Sequence, residues 1–370
     1  MTIKKILFLP LLWGYVLWRG KAHQVPKKIT KVLVVQMAKL GDMVCTTPMF
    51  RAIKETYPEA GVYVLGNSIN KEVVAYNKDV TGYIVFEGLL SVRRRLTQEK
   101  FEAVVVAGAP DFFSAALAFL AGVPLVVGPR VTGGYAPQND IWYRSLSSLI
   151  TTTPHAMGSY APREYLRLLE PLGIRTEDAK KHLAYSDAAR KVAEAFVVSL
   201  TRPLIGITPS AGNKVKEWSA DRFAAVADEL ARKHNATVII FGSKRDEAEV
   251  QAMLGHTKET HINALNKFSI DELKAVIAKL DLFISVDTGP IYIAEAFNIP
   301  TVDITGPIDE REQPPIGERH LVVTPPGPRV PQLSVLNAKQ YDYAEARRQA
   351  ESISIEAVIE GCDRILSSNK

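Results

Sequence analysis

From Lys31 onward the chain alternates short, β-branched apolar runs with longer stretches whose apolar residues recur at helical spacing. In the first half, Val32–Val35, Val62–Leu65, Tyr83–Phe86, Ala103–Val106 and Leu125–Val127 read as buried strands. A helix is predicted from Asp42 to Tyr57, directly after the first of them. The segment Gly133–Ser159, rich in Gly, Ser, Thr and Pro, reads as long loops broken by a short helix near Ile141–Ile150. A helix from Arg163 to Leu172 follows, stopped by Gly173. A second series starts at Leu204, with strands at Leu204–Ile207, Thr237–Phe241, Phe283–Val286 and Thr301–Ile304. Ser269 and Glu272 form a capping box for a helix through Lys279. Ser354 opens a final amphipathic helix. Such alternation predicts an α/β chain with parallel sheets covered by helices on both faces, as two Rossmann-like halves facing a cleft. The boundary is expected between Lys180 and Pro203.

With 370 residues, 47% of them hydrophobic, the chain has enough apolar material for two domain cores. Its net charge of +5 is unevenly placed. Residues 1–31 hold seven basic side chains (Lys4, Lys5, Arg19, Lys21, Lys27, Lys28 and Lys31) and no Asp or Glu. Once those seven are taken from the total, the other 339 residues carry −2. A body without a basic excess argues against nucleic-acid binding. The two cysteines, Cys45 and Cys362, form neither a disulfide framework nor a metal cluster, which fits a reducing compartment.

The arm, residues 1–30, contains the 13-residue uncharged run Ile6–Trp18. That is short of the roughly 20 residues needed to span a bilayer. Lys4 and Lys5 precede it, Arg19 and Lys21 follow it, and Trp13, Tyr15 and Trp18 lie within it. The pattern fits an interfacial anchor on an anionic membrane face. The alternatives are a secretory signal peptide, although no small-x-small cleavage site follows Trp18, and a terminal helix docked on the protein itself.

Three clusters fall at strand-to-helix turns, where open α/β sheets bind ligands. Met37–Asp42 follows the first strand. There Gly41 suits a tight turn, and Asp42 sits near a helix start as a cap or a catalytic carboxylate. Thr208–Trp218 follows the first strand of the second half. Its Ser210, Gly212, Asn213 and Lys216 suit a phosphate pocket, with Trp218 as anchor. Asp287-Thr288-Gly289-Pro290 lies between an apolar strand and a helix, where free N–H groups bind phosphate oxygens. A helix cap is the plainer reading of Asp287. No Gly-x-Gly-x-x-Gly follows either first strand, which disfavours a dinucleotide-dependent oxidoreductase.

Taken in order, these segments resemble glycosyltransferase family 9, the ADP-heptose:lipopolysaccharide heptosyltransferases. The resemblance rests on Val34–Asp42 through Thr46-Thr47-Pro48, then Arg51–Lys54 and Tyr57-Pro58. It continues through His155 with Glu164–Leu166, Lys216-Glu217-Trp218, Val286–Pro290, Pro300–Val302 and Gly306-Pro307. It runs from about Lys31 to Leu366.

The resemblance implies a GT-B fold, with residues 31–190 as acceptor domain and 200–370 as nucleotide-sugar donor domain. It also implies transfer with inversion at the anomeric carbon. Asp42 matches the catalytic base, with Lys39 and Gly41 on the acceptor side. Lys216 matches the donor-phosphate lysine, and Thr288 and Gly289 match contacts to the diphosphate, so no metal cofactor is implied. Phe268 falls where the family places a residue beside the base; a core aromatic is its alternative. The implied partners are an ADP-sugar or other nucleotide sugar, a lipid-linked saccharide and an anionic membrane. The implied place is peripheral, at the cytoplasmic face of a bacterial inner membrane.

Two positions depart from the family pattern. Tyr292 stands where a His is usual, and Gln36 with Ala38-Lys39 stands where a basic residue and a Ser pair are common. Tyr292 motivates the alternative of a non-catalytic nucleotide-sugar-binding or assembly protein.

Overall fold

Twelve strands, all paired in parallel, form two six-stranded sheets in the computed structural model of the protein, which describes residues 2–368. The side chains of residues 2–4, 6, 7, 9, 19 and 368 lie outside the description, and with them Lys4 and Arg19 of the arm. The first sheet contains β1 (Lys31–Val35), β2 (Gly61–Gly66), β3 (Gly82–Val85), β4 (Ala103–Val106), β5 (Leu125–Thr132) and β6 (Thr151–Ala156). The second contains β7 (Leu204–Thr208), β8 (Thr237–Gly242), β9 (Ile262–Leu265), β10 (Leu282–Val286), β11 (Thr301–Ile304) and β12 (His320–Val323). The orders are β3-β2-β1-β4-β5-β6 and β12-β11-β10-β7-β8-β9. Counted from its own first strand, each sheet has the doubly wound order of a Rossmann fold. The chain divides into one unit of Met1–Lys180 with Val335–Asn337, and a second of Lys181–Ser334 with Ala338–Lys370.

The central strands are continuous apolar runs because helices cover both of their faces. Val32, Leu33 and Val34 of β1, and Leu282, Phe283 and Ile284 of β10, are fully buried. The capping box at Ser269 forms, with the Glu272 carboxylate accepting from the Ser269 N–H at 2.8 Å.

Sequence periodicity missed three strands. β6, expected to be loop, reads Thr-Thr-Thr-Pro-His-Ala, while β9 and β12 are four residues each. All three are sheet edges, where Pro and half-exposed polar residues are tolerated. The helix expected over Arg163–Leu172 is instead Ala161–Arg167 followed by a 3-10 turn, Glu170–Leu172. Pro171 cannot continue the helical hydrogen bonding. Glu164, quoted for the family resemblance, is buried and accepts from the Ala156 N–H at 2.9 Å, which ties β6 to this helix.

The arm forms α1 (Thr2–Arg19), and one face of it docks on the first unit. Leu12 is fully buried there. Phe8 packs edge-on against Phe112 and Phe113, with ring centroids 6.2 and 5.8 Å apart, and Tyr15 meets Phe119 at 5.5 Å. Lys5 pairs with Asp140 at 2.6 Å. Among the described residues no helix is long and apolar enough to cross a membrane.

In each unit one shielded histidine, buried His155 and half-buried His320, is held toward its neutral state. Burial pushes His155 of β6 down to about 4, helped by the charge of Arg167. Burial likewise takes His320 of β12 down to about 4, helped by Lys181 and Arg319. The unfolded chain binds these protons near pH 6.5 and the folded chain does not, so stability is full above 6.5 and falls toward pH 4. Each histidine contributes on the order of 3 kcal/mol to that fall. His155→Phe or His320→Phe should flatten the slope of unfolding free energy against pH in this window, as followed by urea titration at several pH values.

Candidate active site

In the first unit the chain leaves β1 into a turn held from below by amides. Gln36 is buried; its Nε2 donates to Thr46 Oγ1 at 2.9 Å and its Oε1 accepts from the Ala38 N–H at 3.1 Å. Asn67 and Asn70 donate to the Ala38 carbonyl at 3.1 and 2.9 Å. The turn is made by Met37–Lys39. Gly41, expected at a tight turn, is instead buried in the first turn of α2 (Leu40–Thr56). Asp42 is half-buried in the same first turn, and its carboxylate accepts from the Lys39 backbone N–H at 3.2 Å. Asp42 therefore stabilises the helix start, where negative charge is favoured. Lys39 is exposed beside it.

In the second unit two loops leave neighbouring strands whose onward connections run to opposite edges of the sheet. The loop after β7 carries Ser210 to Trp218, and the turn after β10 carries Asp287 to Pro290. This is the switch point at which doubly wound sheets bind ligands. Trp218 is buried, and its Nε1 donates to the Ile353 carbonyl at 3.1 Å, which anchors the loop. Lys216 closes a 3-10 turn there and points across the switch point. Its Nζ lies 2.7 Å from Asp287 Oδ2 and also donates to the Asp287 carbonyl. The other carboxylate oxygen, Oδ1, accepts from the Tyr292 hydroxyl.

Asp287 is thus no helix cap. Thr288 holds the N-cap position of the helix Gly289–Ala296 without a side-chain cap bond, and Pro290 sits in the first turn. The first-turn N–H groups there lack intrahelical partners.

The remaining predicted donor residues are dispersed. Buried Ser210 hydrogen-bonds the Asp246 carboxylate, and Asn213 Nδ2 donates to the Ala338 carbonyl at 3.2 Å. Gly212 is exposed on the same loop. Phe268 is half-buried between Phe196 and Phe241, with ring centroids at 5.0 and 6.4 Å.

Three buried charged residues beside this site went unnoticed in the sequence. Lys181 and Glu295 pair at 2.7 Å, both buried, and the Lys181 ammonium lies 5.8 Å from the Tyr292 ring centroid. Asp303 is fully buried on β11. Burial holds its carboxyl well above the usual range, and the negative charge of Asp287 adds to this while Lys216 opposes it. The signal was a charged residue inside each of two apolar stretches, Pro300–Ile304 and Ile291–Phe297. Two lysines thus face Asp287, Glu295 and a carboxyl held toward its neutral form. Among the described residues no cluster of His, Cys, Asp or Glu could hold a metal ion.

Residues 89–340 match glycosyltransferase family 9 (heptosyltransferase). The chain belongs to that family. It is a glycosyltransferase, and its two Rossmann-like units are those of the GT-B fold. It is 24% identical over 294 residues to the lipopolysaccharide core heptosyltransferase OpsX of Haemophilus influenzae, covering 76% of this chain and 79% of that protein. The crystal structure of a family 9 glycosyl transferase from Veillonella parvula superposes with a TM-score of 0.76 at 20% identity, over 93% of this chain and 100% of that one. The heptosyltransferase WaaC of E. coli with ADP-2-deoxy-2-fluoro heptose superposes with a TM-score of 0.64 at 16% identity, over 92% of this chain and 100% of that one. The family match begins after the Asp42 turn and includes both Lys216 and Asp287.

Lys216→Ala leaves the sheltered Asp287 carboxylate without its cation and should lower the unfolding free energy by roughly 3 kcal/mol, measured by urea titration. Asp303→Asn should do the reverse for stability. A buried acid with a raised pKa loses stability as pH climbs above its ordinary value, so the amide should unfold at a higher temperature than the parent at pH 7–8, with the gap closing toward pH 4.

Proposed function

We propose that this family 9 enzyme transfers a heptose, with inversion, from ADP-heptose to a lipid-linked saccharide such as the lipopolysaccharide core. The observation that carries the reading is the Lys216–Asp287–Tyr292 constellation at the switch point of the second unit, in a chain of the heptosyltransferase family. In this reading residues 200–370 hold the donor and residues 31–190 the acceptor. The enzyme works peripherally at the cytoplasmic face of a bacterial inner membrane.

The donor's diphosphate takes the Lys216 ammonium in place of Asp287, and its oxygens accept from the N–H groups at Thr288, Gly289 and the turn that follows. Tyr292 retains Asp287 through its hydroxyl, so the freed carboxylate is not left without a donor. Charge that grows on the leaving ADP is met by Lys216, a positioned cation in a partly water-excluded site. No metal cofactor enters this scheme.

Asp42 acts as general base. The acceptor oxygen attacks the anomeric carbon from the face opposite ADP, its proton passes to the Asp42 carboxylate, and the bond from the anomeric carbon to the ADP oxygen breaks. A single displacement of this kind inverts the configuration. A carboxylate within reach of the acceptor hydroxyl is the group this step requires.

Asp42→Asn should lower kcat by about 10²- to 10⁴-fold while leaving ADP affinity within about twofold, since the amide keeps the helix-start geometry and loses only the base. Transfer by the variant at the parent rate, in a radiolabelled-sugar or coupled ADP-release assay, would remove Asp42 from the mechanism.

A further inference from the structure

The helix α1 is apolar on both of its sides, and the protein covers only one. Positions 5, 8, 12, 15 and 16 face the body, where Lys5, Phe8, Leu12, Tyr15 and Val16 are buried or half-buried. On the opposite side Leu11 is 60% exposed, Trp13 48%, Leu17 91% and Trp18 79%, with Pro10 and Gly14 exposed between them. At 100° per residue these outward positions fall in one arc of the helix, and none of them is charged. A surface helix that fronts only water normally presents polar residues there. Several large apolar side chains in one row mark a surface that something covers.

Charge says what covers it. No Asp or Glu occurs in residues 1–31, and Lys21, Lys27 and Lys28 are exposed just beyond the helix. A protein partner would need acidic groups at that rim. An anionic lipid surface offers them continuously, and tryptophan is the residue favoured at the lipid–water boundary.

We infer that α1 lies in the plane of an anionic membrane, with Leu11, Trp13, Leu17 and Trp18 inserted among the lipids. The helix is not a tether on a flexible leash. The Lys5–Asp140 pair and the aromatic contacts of Phe8 and Tyr15 lock it to the first unit. Lipid contact through α1 therefore fixes how the first unit meets the bilayer. This deepens the proposed function and rests on its lipid-linked acceptor, because it is the unit assigned to the acceptor that is held at the surface.

The test uses the full chain, phosphatidylglycerol-containing and pure phosphatidylcholine vesicles, and the double variant Leu17→Glu/Trp18→Glu. Sedimentation with the anionic vesicles should exceed that with neutral ones at least tenfold and should fall at least tenfold in the variant. The variant should keep the parent's unfolding temperature, because these side chains pack against nothing in the body, and it should transfer heptose to a delipidated, water-soluble acceptor at the parent rate. Equal sedimentation of parent and variant overturns the inference. So does a concentration-dependent dimer that the variant abolishes, which would make a second copy the occupant. Vesicle binding lost in the variant, with no transfer to any acceptor by the parent, supports the membrane face and removes the heptose-transfer reading.

Discussion

The ion pair between Lys216 and Asp287 organises the second unit. One ammonium bridges two loops that leave neighbouring strands, bonding to both the carboxylate and the backbone carbonyl of the same residue. A charge pair this sheltered persists only where further hydrogen bonds satisfy its remaining atoms. Here Tyr292 takes the second carboxylate oxygen, and buried Trp218 anchors the loop that carries Lys216. In the proposed reading a bound diphosphate exchanges one anion for another on Lys216 instead of meeting an unpaired cation.

The neighbouring charges are balanced as well. Lys181 and Glu295 pair beside the Tyr292 ring, and Asp303 is held toward its protonated form by burial and by Asp287. The site beneath the donor loop is therefore close to neutral, which leaves Lys216 as the cation available to a ligand. Tyr292 fits this balance: it adds no charge and donates its hydroxyl hydrogen bond to Asp287.

What could be read in the sequence depended on burial. β1, β4, β7 and β10 are covered on both faces, so they appear as unbroken apolar runs, and with them the turns bearing Asp42, Lys216 and Asp287 could be located. The edge strands β6, β9 and β12 have half-exposed positions and are short or polar, so the Thr-rich β6 read as loop and the brief Leu321–Val323 run of β12 went unread. A strand-to-helix turn in the sequence also says nothing about partners across a sheet. Asp287 read as easily as a cap as part of a phosphate-binding turn, and only the parallel pairing of β7 with β10 brings Lys216 to it. Phe268 was located by motif alone, and it sits in a ring cluster with Phe196 and Phe241. The arm was weighed as membrane anchor or docked helix. It docks through Lys5, Phe8, Leu12 and Tyr15 and leaves Leu17 and Trp18 outward, because its apolar residues run round both sides of the helix.

The central claim is that the donor's diphosphate replaces Asp287 on Lys216. The most direct measurement is a crystal structure of the enzyme with ADP bound. The account predicts Lys216 Nζ within hydrogen-bonding distance of a phosphate oxygen, that phosphate over the N–H groups of Thr288 and Gly289, and Asp287 still held by Tyr292. ADP bound at another strand end, or Lys216 still paired with Asp287 while the phosphates lie elsewhere, would contradict it.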